Sequence, residues 1–161
     1  MGLAVKTVLF VCHANTCRSV MAHVLLERMV ADRDGGQRIR VRSGGVAPYA
    51  RDGMIASLDA RLVLRQDGIH LGETAFSSTD LRRHREIVAE ADLILTMTAG
   101  QKQIVGAFAE ARGRPIFTLK EFAGDSGDIE DPVGQGEDRY RACRDEIKDC
   151  LEKSLDRLLA V

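Results

Sequence analysis

Thr7-Val8-Leu9-Phe10-Val11-Cys12-His13-Ala14-Asn15-Thr16-Cys17-Arg18-Ser19 is the stretch around which the rest of the chain is organised. Thr7 to Val11 is a continuous apolar and β-branched run, the pattern of a strand buried on both faces. It ends at Cys12. From Ser19 the periodicity becomes helical, with Met21, Leu25 and Met29 four apart, until the polar, glycine-rich stretch Asp32 to Gln37 stops it. A buried strand, a short polar loop and a helix start thus follow one another directly.

The same alternation continues outward. Ile39 to Ser43 reads as a second strand closed by Gly44-Gly45, and Ser57 to Gln66 as a helix ended by Asp67-Gly68. Ser78 to His84 reads as a short helix with a Ser or Thr cap. Leu93 to Met97 is a third strand, Gly100 to Arg112 a helix, and Pro115 to Thr118 a short fourth strand. An acidic, glycine-containing loop, Gly124 to Asp138, leads to the last helix. There Tyr140, Cys143, Ile147, Cys150, Leu151, Leu155 and Leu158 recur on one face that must be buried. The expected fold is α/β, a three-layer arrangement with a four-stranded parallel sheet and helices on both faces. Ligands in such folds sit beyond the carboxyl ends of the strands.

Composition bounds the function. At 161 residues, 45% hydrophobic and 29% charged, residues 1–161 are expected to form one domain with one core. No apolar run reaches the roughly 18 residues of a membrane helix. Lys and Arg number 23 against 24 Asp and Glu, a net charge of −1 that gives no global field for nucleic acid or an acidic membrane. Anion chemistry must be local. Met1 to Ala14 lacks a cationic start, a long apolar stretch and a cleavage site in sequence, so a cytoplasmic location is expected. Four cysteines, Cys12, Cys17, Cys143 and Cys150, are too few for a disulfide scaffold and are expected to be reduced.

The loop Cys12 to Ser19 carries the chemistry. A cysteine six residues before an arginine is weak alone, but a strand, loop and helix start point backbone N–H groups at one spot, a ready anion site. Residues His13, Ala14, Asn15, Thr16, Cys17 and Arg18 would form that cradle, with Cys12 at its floor and favoured as a thiolate by the amides and Arg18. Arg18 supplies a planar fork for two phosphoryl oxygens. Arginine is unfavourable in a helix's first turn unless an anion is present. Ser19 would donate to the thiolate or cap the helix. The bland alternatives are a buried Cys12 at a strand end and an exposed Arg18. Zinc on Cys12, Cys17 and His23 lacks paired spacing and a fourth ligand, so no metal or cofactor is expected.

Displacing phosphate needs an acid for the leaving group. Among the acidic-loop carboxylates Asp131 stands apart, because Pro132 forces it into extended backbone, and Gly134 and Gly136 would let the loop approach a ligand. An ordinary Asp-Pro turn is the alternative.

These residues resemble the low-molecular-weight protein tyrosine phosphatases: Cys12-x5-Arg18-Ser19 after the early strand, Arg42-Ser43-Gly44-Gly45-Val46 after the second, and Asp131-Pro132 before the final helix. The chain is most similar to the bacterial protein-arginine phosphatase branch, through Thr16, Met97-Thr98, Lys102-Gln103-Ile104, Phe117 to Glu121 and Arg144-Asp145-Glu146. The resemblance implies Cys12 as nucleophile, Arg18 as phosphate clamp, Asp131 as acid and then base, Asn15 and Ser43 as loop-shaping partners, and Ser19 as thiolate stabiliser. It implies that Cys17 forms a reversible disulfide with Cys12, and that Thr16 and Val133 set specificity. This chain departs from the family at Ala14 and Val20, where glycine and proline are usual, at Val133, where an aromatic is usual, and at Glu73, aligned with a supporting histidine. Arsenate reduction would need further cysteines near residues 80 to 90, where none occurs. The implied function is a cysteine-dependent protein phosphatase working through phosphocysteine on phosphoarginine. The alternatives are phosphotyrosine hydrolysis or a non-catalytic phosphate-binding adaptor. The expected partners are phosphorylated protein or peptide and phosphate, without nucleic acid or membrane.

Overall fold

Four parallel strands form the centre of the computed structural model, which describes residues 6–34 and 39–160. β1 (Lys6–Cys12), β2 (Ile39–Gly45), β3 (Leu93–Thr96) and β4 (Ile116–Thr118) lie in the order β2-β1-β3-β4. β1 is therefore flanked on both sides, which is why its sequence is unbroken apolar: Val8 to Val11 are wholly buried. Alternate side chains go to opposite faces, with Val8, Phe10 and Cys12 in one core and Leu9 and Val11 in the other. The register sets Cys12 beside Gly45 and Val11 beside Thr96, so the carboxyl ends of three strands meet at one edge.

Six helices among the described residues complete the layers: α1 (Arg18–Asp34), α2 (Leu58–Arg65), α3 (Glu86–Ala89), α4 (Ala99–Gly106), α5 (Leu119–Phe122) and α6 (Glu137–Leu159). α1, α2, α5 and α6 cover the face carrying Phe10, while α3, α4 and a 3₁₀ turn at Ala109–Ala111 cover the face carrying Leu9. The periodic face of α6 is buried along its length, from Tyr140 to Leu158. Each fully buried Leu or Ile there contributes about 1.5–3 kcal/mol. Arg144 lies on that buried face, and its guanidinium donates to the Val63 carbonyl at 2.8 Å and to Gln66 Oε1 at 3.0 Å, tying α6 to the end of α2. No helix among the described residues is long and apolar enough to cross a membrane.

Three expectations are corrected. Ser78 to His84 is not a helix. Its backbone runs beside β2, with Gly45 N–H donating to the Thr79 carbonyl and Leu81 N–H to the Gly45 carbonyl, both at 2.9 Å. The helix comes after it, at Glu86–Ala89. The helix expected over Gly100 to Arg112 ends at Gly106, because Phe108 turns extended (ψ 136°) and buries its ring under the Arg85 guanidinium. The stop expected at Asp32 to Gln37 falls partly outside the described residues, and α1 itself continues to Asp34.

Gly45 joins the fold to the loop after β1. A Cβ there would lie 2.5 Å from the His13 carbonyl oxygen and 2.9 Å from the Ala14 carbonyl carbon, atoms of backbone that cannot rotate away. Gly45→Ala is expected to lower the unfolding free energy by about 1–3 kcal/mol, the usual cost of overpacking, read by urea denaturation. A variant as stable as the parent would mean that the two backbones move apart freely.

Candidate active site

The chain leaves β1 at Cys12 and enters α1 at Arg18, so the intervening residues must reverse direction within one tight loop. The reversal is made at Asn15, whose φ of 62° is the one positive value outside glycine among the described residues. Asn is among the few L residues that adopt this left-handed conformation readily. Its side chain holds the turn: Nδ2 donates to Ser19 Oγ at 2.8 Å and Oδ1 accepts from the Thr79 backbone at 2.9 Å. The Asn15 backbone N–H is thereby aimed at Cys12 Sγ, 3.3 Å away, and Ser19 Oγ lies 2.9 Å from the same sulfur. The His13 carbonyl faces the other way, accepting from Ala47 N–H at 3.0 Å.

A cavity of about 210 Å³ opens over this loop. Its floor and near wall are Cys12, His13, Ala14, Thr16, Cys17 and Arg18, and its outer walls are Tyr49, Asp131 and Val133. Arg18 is 2% exposed although it is a cation. Its Nη1 donates to the Ile129 carbonyl at 2.7 Å, and its Nη2 stands 3.8 Å from Asp131 Oδ2, a long contact. Its remaining N–H donors can take an anion in the cavity as partner. Ile129 is itself anchored, its N–H donating to the Met97 carbonyl at 2.9 Å, so the acid loop is tied to the end of β3. Val133 N–H donates to Asp131 Oδ1 at 3.1 Å, and Gly134 and Gly136 take left-handed φ values of 77° and 90° on the way into α6. Asp131 keeps 42% of its side chain exposed at the mouth.

Burial pushes the Cys17 thiol well above its ordinary value, with neighbouring Cys143 and Cys12 adding to the effect. Cys143 and Cys150, on the core face of α6, are pushed up by burial to about 12 and about 11. All three are neutral thiols near pH 7. Burial and the Arg18 charge lower the His13 imidazole, which favours its neutral form.

The structure brings Cys12, Arg18 and Asp131 to one cavity, with Thr16 and Val133 on its walls. Asn15 has the loop-shaping hydrogen bonds that the resemblance implies, but it does not line the cavity with the rest of the cradle; its side chain turns inward as a brace. Ser43 bonds His23 Nδ1 at 2.8 Å and makes no hydrogen bond to the loop, while Glu73 is exposed in a turn. The loop is braced instead by the Thr79 backbone. Ala14 fits without a left-handed φ because Asn15 takes the turn and Gly45 gives room behind. Tyr49 was missed, although an aromatic beside Pro48 in a chain with two tyrosines and no tryptophan was a signal. Ile129 was missed too, a lone apolar residue in a polar loop.

The chain and its fold are similar to known proteins. Residues 7–160 match the family described as low molecular weight phosphotyrosine protein phosphatase. A protein-arginine-phosphatase of Geobacillus stearothermophilus is 40% identical over 153 residues, covering 94% of this chain and 95% of that one. A low molecular weight protein-tyrosine-phosphatase of Staphylococcus haemolyticus is 35% identical over 134 residues, covering 82% and 85%. The solved structure of the arginine phosphatase from Geobacillus stearothermophilus superimposes with a TM-score of 0.82 at 39% identity, covering 96% of this chain and 94% of that chain.

The Ser19 hydroxyl has one direct partner in the sulfur of Cys12 and one in Asn15. Ser19→Ala is expected to slow turnover about tenfold, the worth of one hydrogen bond of about 1–1.5 kcal/mol to a reacting group, read as kcat with inorganic phosphate inhibition as control. An unchanged kcat would show that the hydroxyl serves only the brace.

Proposed function

This chain belongs to the low molecular weight phosphotyrosine protein phosphatase family, and within it we propose a protein-arginine phosphatase. It is a cysteine-based hydrolase of phosphorylated proteins. The observation that carries the site assignment is the convergence of the Cys12 sulfur, the buried Arg18 fork and the Asp131 carboxylate on one cavity at the carboxyl ends of the strands.

In this reading the Cys12 thiolate attacks phosphorus in line with the leaving nitrogen. Arg18 and the loop amides hold the equatorial oxygens, where charge is greatest in the transition state. As the P–N bond breaks, Asp131 gives its proton to the guanidine nitrogen. Water then attacks phosphocysteine, Asp131 takes a proton from it, and phosphate leaves with the thiolate restored. Cys17, beside Cys12, serves as the resolving thiol when Cys12 is oxidised to a sulfenic acid; it must give up its proton to attack, and the disulfide closes as that proton leaves with the sulfenic hydroxyl as water. Free thiols at all four cysteines fit a reducing, cytoplasmic setting.

The preference for phosphoarginine is supported by Thr16, whose hydroxyl-bearing side chain is half-buried on the cavity wall, and by Val133, which offers no ring to stack on phosphotyrosine. It is supported as well by the similarity to protein-arginine-phosphatases over nearly the whole chain. Tyr49 favours a second reading, phosphotyrosine, because it supplies the one aromatic wall.

Matched phosphoarginine and phosphotyrosine peptides separate the two by kcat/KM. The parent is expected to prefer phosphoarginine, and Thr16→Ile to reduce that preference by about tenfold or more. A phosphotyrosine preference would return the chain to the tyrosine branch. Cys12→Ser is expected to abolish turnover with the fold intact, and Asp131→Asn to slow it by about 10²-fold or more, as loss of a general acid does. Full activity in either would overturn the mechanism, and phosphate binding without turnover by the parent would make it an adaptor.

A further inference from the structure

Tyr49 is 61% exposed, yet the peptide groups on both sides of it are held, the Pro48–Tyr49 peptide by one side chain and the Tyr49–Ala50 peptide by the Ala50 N–H, which donates to the Ala47 carbonyl at 2.9 Å. Arg82 Nη2 donates to the Pro48 carbonyl at 2.9 Å and, more weakly, to the Ala50 carbonyl at 3.4 Å. The guanidinium is gripped from behind by Asp80, which accepts from Nε and Nη2 at 3.1 Å each and from the Arg82 backbone N–H at 3.0 Å. Asp80 is 2% exposed, so the pair is a fixed bracket on the buried strap beside β2. Arg82 does not line the cavity, whereas Tyr49 does.

Other ties hold the remainder of that loop. Ala47 N–H is bonded to the His13 carbonyl, and Ser78 Oγ donates to the Arg51 carbonyl at 2.5 Å and accepts from Met54 N–H at 2.9 Å. Asp52 accepts from Asp80 N–H at 2.7 Å and pairs with His84 at 2.7 Å. Removing Arg82 therefore frees the Pro48–Tyr49 peptide and leaves the turn from Ala47 to Ala50 and both roots of the loop in place. With the Tyr49–Ala50 peptide set by the turn from Ala47 to Ala50, the bond from Arg82 to the Pro48 carbonyl fixes the other peptide plane of Tyr49, and the two planes fix the direction of its Cα–Cβ bond. A flat guanidinium does this because its donors lie in one plane; an ammonium cannot copy the arrangement.

We propose that Arg82 is a positioning residue for substrate selection, acting through Tyr49 by holding its ring as a ready-set wall of the cavity. The ring face then receives the phosphorylated side chain, a planar cation or a phenol. Arg82 sets KM for peptide substrates and leaves the chemical step alone. This rests on the reading of the cavity as the site for a phosphorylated side chain. A clamp that served stability alone would lower the melting temperature without moving KM.

The test is a double-variant cycle on the whole protein. Arg82→Lys keeps a cation on Asp80 but loses the fork, and Arg82→Met loses both. Each is expected to raise the KM of a phosphopeptide at least about threefold, the signature of lost uniform binding, with kcat and the inhibition constant of inorganic phosphate within about twofold of the parent. Tyr49→Ala is expected to raise KM likewise, and Arg82→Lys on top of Tyr49→Ala to add nothing. Because the chain has no tryptophan, Tyr49→Trp gives a single reporter, whose fluorescence anisotropy is expected to fall when Arg82→Lys is added. An unchanged KM in either single variant, additive effects in the double variant, a loss of kcat, or an unmoved anisotropy would each overturn the proposal. If Arg82→Met does not fold, Arg82→Lys decides. The cycle is run on whichever peptide the parent hydrolyses faster, so peptide preference tests the substrate reading separately from the clamp.

Discussion

A left-handed turn at Asn15, held by two side-chain hydrogen bonds, is the constraint on which the site depends. β1 and α1 run on either side of it, and only a sharp reversal lets the strand deliver a sulfur and the helix deliver an arginine to the same cavity. The turn also decides which way the peptide groups face. With Asn15 at φ 62°, its N–H points to the Cys12 sulfur while the His13 carbonyl points outward to Ala47. Asn15 contributes its backbone N–H to the Cys12 sulfur and its side chain to the frame. The frame reaches across the sheet edge, because Oδ1 is tied to Thr79, and the strap carrying Thr79 is tied in turn to Gly45.

Charge follows from this geometry. Taking a guanidinium out of water costs several kcal/mol unless it finds partners. Arg18 meets one carbonyl and one distant carboxylate, which leaves guanidinium donors suited to the oxygens of a phosphoryl group on the proposed reading. Asp131 is left far enough from Arg18 to be exposed at the mouth, where a leaving group would pass. Burial keeps Cys17 and Cys143, the other thiols near the site, neutral.

Much of this was legible in the sequence because it rests on local patterns. The unbroken apolar run of β1 and the seven-residue face of α6 are periodic, and periodicity survives translation into structure. The loop Cys12 to Arg18 was legible because its parts are contiguous. What was not legible depends on pairing between distant segments. Ser78 to His84 has the composition of a capped helix, but its backbone is taken by Gly45, thirty-odd residues earlier. Ser43 is bonded to His23 across two elements, and no spacing announces that. Phe108 left its helix because a ring that can be buried outweighs two more turns of marginal helix.

Selectivity must then come from parts that the cradle does not contain. The cradle sees three phosphoryl oxygens and is indifferent to what they are attached to. The walls differ: Thr16 lies inside the loop, Tyr49 on a segment fixed by the strap, and Val133 on the acid loop. Phenol and guanidine are both flat, so shape alone separates them poorly. They differ at their edges, because a guanidine carries N–H donors where a phenyl ring carries carbon. Burying those donors without acceptors costs about 1–3 kcal/mol each. A cavity that offers the hydroxyl of Thr16 and the carboxylate of Asp131 at its rim supplies acceptors, and a purely aliphatic wall would leave the donors orphaned. On the proposed reading, discrimination lies in satisfying the edge of the leaving group, while the ring of Tyr49 supplies a face that either substrate would accept. On that division an aromatic at the mouth is compatible with an arginine substrate, and the identity of residue 16 would matter more than the size of the slot.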